Sequence, residues 1–298
     1  MTLEDLVPVP VPAASLASAL ASHGDYRIAR RIPPMVRGDA GFKRTDELSV
    51  CVLDCETTGT DHGTDKIIEL ALQRVYVSAD GRIVLTGKPR SWLEDPGVPI
   101  PLEIARITGL TDDDVNEQAI AEGEARSVLS SADVVLSHNA GFDRPFVEKR
   151  LGLSGLAWAC SLNDIGWREA GFEGRSLSQL LWQCGWFYEA HRALSDVNAL
   201  LYLLDHLLSS GTTVLKEVLD RARRPSWVID AVGAPFSARG ALKARGYRWD
   251  PALRFWSREV SDEALQDELA WVASQIYGGM ETPPHRAVTW TERYAARA

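Results

Sequence analysis

Ser49-Val-Cys-Val-Leu-Asp-Cys-Glu-Thr-Thr-Gly59 decides how this chain is read. Five mostly apolar residues lead into two carboxylates, Asp54 and Glu56, one residue apart. On a strand, residues i and i+2 leave the same face, so the two acids point the same way. Like charges held together repel, and a fold gains nothing from them by themselves. The pair therefore implies a counter-charge, and a metal ion is the first candidate. Thr57-Thr58-Gly59 then supplies hydroxyls and a flexible backbone beyond the strand's carboxyl end, where open α/β sheets bind ligands. Cys51 and Cys55 fall on the opposite face and read as small core residues.

Working outward, strands are expected at 49–55, 66–77 and 82–92, with Ala79-Asp-Gly81 as a turn. Short helices follow over 101–131. A buried strand at 132–139 runs into a helix at 143–151, a fifth strand spans 156–161, and helices lie near 176–184 and 192–209. Strands alternating with helices in this order make a mixed α/β sheet of five strands flanked by helices. Residues 1–46 are an N-terminal extension, 47–210 the main domain and 211–232 a linker. A small α+β module follows at 233–279, and 280–298 is a tail without a clear pattern.

The chain has 298 residues, 45% hydrophobic and 24% charged, with a net charge of −9. That is the composition of a soluble globular protein. The acidic balance excludes binding of nucleic acid through an overall basic surface, so any such attraction must be local or carried by bound cations. Four cysteines show no CxxC spacing and no dense framework, which argues against zinc, and reduced thiols suit the cytoplasm. The first residues lack a basic start and are broken by prolines, unlike a secretory leader. No apolar run approaches the ~20 residues of a membrane span.

Two further acidic places repeat the opening pattern. In Ser137-His-Asn-Ala-Gly-Phe-Asp143 an apolar strand again ends in a polar turn and a carboxylate; Asp143 is either a site residue or the N-cap of the next helix. In His191-Arg-Ala-Leu-Ser-Asp196 and onward, Ala193, Asp196, Leu200, Leu203 and Leu207 recur at helical spacing, which puts Asp196 in an apolar stripe. Buried carboxylates are rare unless paired or bound to metal. His191 lies five residues earlier, a rotation of roughly 140° on a helix, so it belongs on a loop before the helix rather than on Asp196's face. Carboxylate ligands suit magnesium or manganese, and a pair of such ions ~3.5–4 Å apart serves phosphoryl displacement. A histidine beside them can take a proton from an attacking water.

In order and spacing, Asp54-x-Glu56-Thr-Thr-Gly, His138-Asn-Ala-x-Phe-Asp143 and His191-x4-Asp196 resemble the DEDDh 3′–5′ exonucleases, the group of the proofreading subunit of bacterial replicative polymerase. The likeness covers about residues 47–208. It implies an RNase H-like fold and two divalent cations, Mg2+ or Mn2+, held by Asp54, Glu56, Asp143 and Asp196, with His191 as general base. Thr57, Thr58 and Asn139 would lie near the terminal nucleotide, and Phe142 would contact a base. The implied reaction releases nucleoside 5′-monophosphates from 3′ ends, single-stranded DNA favoured. Action on RNA or oligoribonucleotides, and service as a polymerase-associated proofreading subunit, are the alternatives; no clamp-binding pentapeptide or long flexible tail is evident. One departure is Arg106-Ile107-Thr108-Gly109, where many relatives place a His-Gly pair before the Ile-Thr. Arg144, Lys149, Arg150 and Arg192 are further candidates for phosphate contacts.

Overall fold

The computed structural model describes residues 12–38, 48–279 and 281–296. The Pro-Val stretch at the start of the chain lies outside them. Of the extension, a helix α1 (Ala13–Ala21) and a two-residue strand β1 (Arg30–Arg31) are described. The segment after β1 belongs to the main core: Ile32 and Met35 are buried there, and Arg37 pairs with Asp205.

Strand β2 (Leu48–Thr57) sits at the centre of a six-stranded sheet with β3 (Ile67–Val77), β4 (Ile83–Thr86), β5 (Arg90–Leu93), β6 (Val134–Ser137) and β7 (Trp158–Cys160). Its order is β4-β3-β2-β6-β7, with β5 also on β3. β2 pairs antiparallel with β3 and parallel with β6, so the sheet is mixed. The stretch 82–92, expected as one strand, is two: Gly87-Lys88-Pro89 interrupts it, and proline has no N–H for a ladder. This is why six strands replace the expected five.

Helices α2 (Leu102–Thr108), α3 (Asp112–Val115), α4 (Glu122–Ser130), α5 (Ala140–Leu151), α6 (Leu177–Gln183) and α7 (Ala193–Leu204) surround this sheet, and a short strand β8 (Trp186–Phe187) pairs with β1. The alternation of β2 sorts them. Val50 and Val52 pack with Ala193, Val197 and Leu200 of α7, whereas Cys51, Leu53 and Cys55 pack with Phe146, Val147 and Leu151 of α5. Asp54 and Glu56 continue the α7-facing series. Helix α7 ends at Leu204, short of the expected 209, and Leu207 is exposed.

Residues 211–232 are not a loose connection. They form helix α8 (Val214–Arg223), whose Val214, Leu215, Val218 and Leu219 are buried in the main core, and strand β9 (Ser226–Ala231). β9 is an inner strand of a second, antiparallel sheet ordered β10 (Arg248–Asp250), β11 (Phe255–Ser261), β9 and β12 (His285–Val288). Helices α9 (Arg239–Ala244) and α10 (Leu265–Ile276) cover it with Leu242, Leu269 and Val272. The second sheet thus draws strands from both sides of 233–279.

The segment after β12 returns to the main domain. Arg144 of α5, fully buried, donates through Nη1 to the Arg293 carbonyl at 2.6 Å and through Nη2 to that of Thr291 at 2.7 Å. Arg293 in turn bonds the Arg224 carbonyl and pairs with Asp164. These contacts are mostly to backbone oxygens, so no side-chain pattern in 280–298 announces them.

Candidate active site

Three carboxylates meet where β2 ends beside the start of α7. Oxygens of Asp54, Glu56 and Asp196 lie within 4.8 Å of one another. Two come from alternate positions of one strand and the third from the first turn of a helix, where the positive end of the helix dipole favours an acid. Asp143 arrives from the other face of the sheet. Helix α5 starts at Ala140, three residues earlier than expected, with Asn139 as its cap residue at φ +89°. Asp143 is therefore inside the first turn and is not the N-cap. It is buried, and its Oδ1 accepts the Cys55 N–H at 3.2 Å and the Cys55 thiol at 3.5 Å.

Burial and mutual repulsion dominate this cluster. Burial, then the charges of Asp143, Asp196, Glu56 and Glu69, holds the Asp54 carboxyl well above its ordinary value. Glu56 is pushed up to about 8 by burial and by Asp196, Glu69 and Asp143, with Arg192 opposing only in part. Asp143 is pushed up to about 7 by burial, against hydrogen bonds from Ser137 and Cys55. Asp196 is raised by burial too, although Tyr188 donates to its Oδ1 at 2.8 Å and the Arg192 N–H to its Oδ2 at 3.1 Å. Acids that resist ionisation together, with oxygen-only donors converging on one point, fit a hard divalent cation. The cluster could hold such an ion.

The loop before α7 carries His191, exposed and at φ +68°, with its side chain at the mouth of the site. Glu69 fixes this corner. It lies directly across from Glu56 on β3, is almost fully buried, and its Oε2 accepts the Ala193 N–H at 3.1 Å and Arg192 Nε at 3.0 Å. One buried carboxylate thus clamps the first turn of α7, and so the placement of Asp196 and His191. Glu69→Ala is expected to lower kcat by roughly 10- to 100-fold with little change in KM, as small misplacements of reacting groups do. Glu69→Gln, which keeps an acceptor for Ala193, should recover part of it. Steady-state kinetics on both variants check this, and an unchanged kcat would refute the clamp.

Asn139 and Phe142, with His138, Tyr188 and His191, line a groove of about 750 Å³ that has the four carboxylates along one wall. Burial lowers the His138 imidazole to about 4, so the ring is neutral; it bridges Ser161 Oγ and the Arg175 carbonyl. Thr57 and Thr58 do not line the groove. Their hydroxyls brace the loop after β2, Thr57 donating to the Gly59 carbonyl and Thr58 to Asp65 Oδ1. Gly59 is needed for close approach, since a Cβ there would meet the Asp65 carboxylate at 2.5 Å. The four cations near the motifs are all engaged. Arg144 holds the C-terminal segment, Lys149 bonds the His62 and Gly63 carbonyls, Arg150 pairs with Glu94 and Glu122, and Arg192 with Glu69. Glu69 and Tyr188 were not anticipated as site residues.

No described helix is long and apolar enough to cross a membrane. The DNA polymerase III PolC-type of Clostridium perfringens is 35% identical over 113 residues, 37% of this chain and 7% of that protein. Its counterpart from Listeria innocua is 30% identical over 174 residues, 56% of this chain and 12% of that protein. The chain thus spans only a small part of these relatives. Among solved structures, the zinc-bound complex of Escherichia coli exonuclease I with single-stranded DNA superposes with a TM-score of 0.50 at 17% identity, covering 82% of this chain and 64% of the other. Exonuclease X with 5′-overhanging duplex DNA gives 0.42 at 22% identity over 58% of this chain and 98% of the other. The exonuclease I likeness is one of fold, the RNase H-like mixed sheet flanked by helices. A model of the Exonuclease family, RNase_T, matches residues 51–204, from the strand of Asp54 and Glu56 to the end of the helix of Asp196. Over that span, more than half its length, the chain belongs to the exonuclease family, in its DEDDh 3′–5′ branch.

Proposed function

We propose that this protein removes nucleoside 5′-monophosphates one at a time from the 3′ end of single-stranded DNA. The observation that carries the reading is the convergence of Asp54, Glu56 and Asp196, with Asp143 reaching β2 from the opposite face. Asp54, Glu56 and Asp196 would hold one divalent cation, and Asp54 with Asp143 a second, Mg2+ or Mn2+. When bound, such ions supply positive charge that offsets the charge developing on the phosphate and acidifies water. His191, at the mouth, takes the proton of the attacking water. The water oxygen bonds to phosphorus, the bond to the 3′ oxygen of the shortened strand breaks, and that oxygen ends protonated. Asn139 and Phe142 sit on the groove wall where the terminal sugar and base would lie, and the neutral His138 ring keeps that wall in place.

The DNA preference is supported by the relatives, which are named as DNA polymerases. That same naming favours a second reading, a proofreading component that acts beside a polymerase.

The test uses 5′-labelled single-stranded DNA, duplex DNA and RNA of matched sequence, with magnesium or manganese, and with Asp196→Ala and His191→Ala beside the wild type. A ladder shortening from the 3′ end of the DNA strand, lost in Asp196→Ala, is expected. Faster loss of RNA would overturn the DNA preference. Intact strands in every lane, with activity appearing only on addition of a polymerase, would favour the second reading.

A further inference from the structure

In an acidic chain, residues 232–258 carry six lysines and arginines against one carboxylate. Arg245 and Arg258 pair with the buried Glu268 beneath the second sheet. The other four, Arg239, Lys243, Arg248 and Arg254, are exposed and make no ion pair among the described residues. Two large rings stand in the same stretch. Phe236 is 77% exposed and Trp249 49% exposed. The core of the module does not need either: Tyr247 is buried, and Trp256 and Trp271 pack against the cluster that fills it. Trp249 lies on the edge strand β10, its ring 5.8 Å from Trp256. The Arg239 guanidinium lies 4.3 Å from the centre of the Phe236 ring. Exposed rings interleaved with unpaired cations are a poor surface for water and a good one for a flexible polyanion with flat bases.

We propose that this face of the C-terminal module, built from Phe236, Arg239, Lys243, Arg248, Trp249 and Arg254, binds single-stranded DNA, gripping the strand whose 3′ end lies in the groove. The inference deepens the exonuclease reading and rests on it for the second half of the statement. Phe236 and Trp249 stack on bases, and the four cations meet phosphates. Arg144, Lys149, Arg150 and Arg192 are already engaged, and among the described residues Arg175 alone brings an arginine to the groove, so the module adds local positive charge for the rest of the strand. A concentrated patch of this kind lets an acidic protein attract nucleic acid locally.

The experiment uses the full chain and the double variant Phe236→Ala/Trp249→Ala, with melting curves to confirm folding. Anisotropy of a labelled dT strand of about 25 nucleotides, in chelator, reads binding without hydrolysis. The double variant should bind at least about 10-fold more weakly, since two stacking contacts to bases are lost. Lys243→Glu/Arg248→Glu should weaken binding and flatten its salt dependence. In kinetics, the ring variant should raise KM for the long strand about 10-fold while leaving kcat and hydrolysis of a tetranucleotide unchanged. Unchanged binding and KM in folded variants would overturn the inference while leaving the exonuclease intact. Displacement of the strand by polyglutamate as effectively as by unlabelled dT would overturn it in favour of an acidic protein partner. Binding that depends on the rings, in a protein that hydrolyses no strand, would uphold the surface and sink the exonuclease reading.

Discussion

Asp54→Asn should reduce turnover of single-stranded DNA by about 10³-fold or more, and yet raise the melting temperature in chelator. The two effects have one cause. Burial first, then repulsion from Asp143, Asp196, Glu56 and Glu69, lifts the Asp54 carboxyl. A neutral amide of the same shape removes that repulsion, so the metal-free fold gains. The same change deletes the ligand shared by both proposed cation positions. Loss of several kcal/mol of charge stabilisation in the transition state corresponds to roughly 10³-fold in rate, at 1.36 kcal/mol per tenfold. Single-turnover rates with manganese, beside calorimetric melting in chelator, check both halves. A residue serving only the fold would behave in reverse, with asparagine lowering the melting temperature and sparing the rate. That outcome would remove Asp54 from the site.

Much of this geometry was legible because strand and helix periodicities are strict. The i, i+2 relation of Asp54 and Glu56 already set them on one face, and the helical stripe through Ala193, Leu200 and Leu203 already set Asp196 toward the core. The sheet confirms both, because β2 alternates between α7 and α5. Asp143 was legible as a carboxylate at a strand end, but not its route. It reaches β2 by accepting the Cys55 N–H, a backbone contact that leaves no trace in sequence. Glu69 had a signal, a lone acid inside Ile-Ile-Glu-Leu-Ala; what hid its role is that its partners, the Ala193 N–H and Arg192, are more than a hundred residues away. Tyr188 had none, since it sits on a short loop where periodicity carries no information. The helix Val214–Arg223 was legible in Val214, Leu215, Val218 and Leu219, and the arginines in its last turn, Arg221 and Arg223, with Arg224 after them, masked that pattern as a connection. Sequence patterns report which face a side chain takes; they do not report which backbone group it will meet.

The metal-free protein should become less stable as pH rises from 5 to 8, and a divalent cation should abolish or reverse that slope. Without metal, Glu56 moves from an ordinary 4.5 to about 8 and Asp143 from 3.8 to about 7 in the folded chain. Between roughly pH 4 and pH 8 the folded state therefore holds more protons than the unfolded one. Stability varies with pH as the protons bound unfolded minus those bound folded, so here it falls as pH rises. The stabilisation is complete below the unfolded values and is lost as pH passes through about 7 to 8, where both acids ionise, Glu56 beside Asp196, Glu69 and Asp143. Either rise alone, from 4.5 to about 8 or from 3.8 to about 7, corresponds to a loss on the order of 4 kcal/mol, or about 5–10 °C for a chain of this size. A bound cation needs the same acids ionised, and a ligand of the folded state alone stabilises it more as its site becomes available. Melting temperature against pH, in chelator and in millimolar manganese, should therefore give two lines that diverge upward from about pH 5. In Asp54→Asn the chelator line should be flatter, because an acid whose own carboxyl is held well above its ordinary value by burial and its neighbours no longer titrates. Parallel lines in wild type would mean that the acids do not titrate as a cluster and that no cation is held among them.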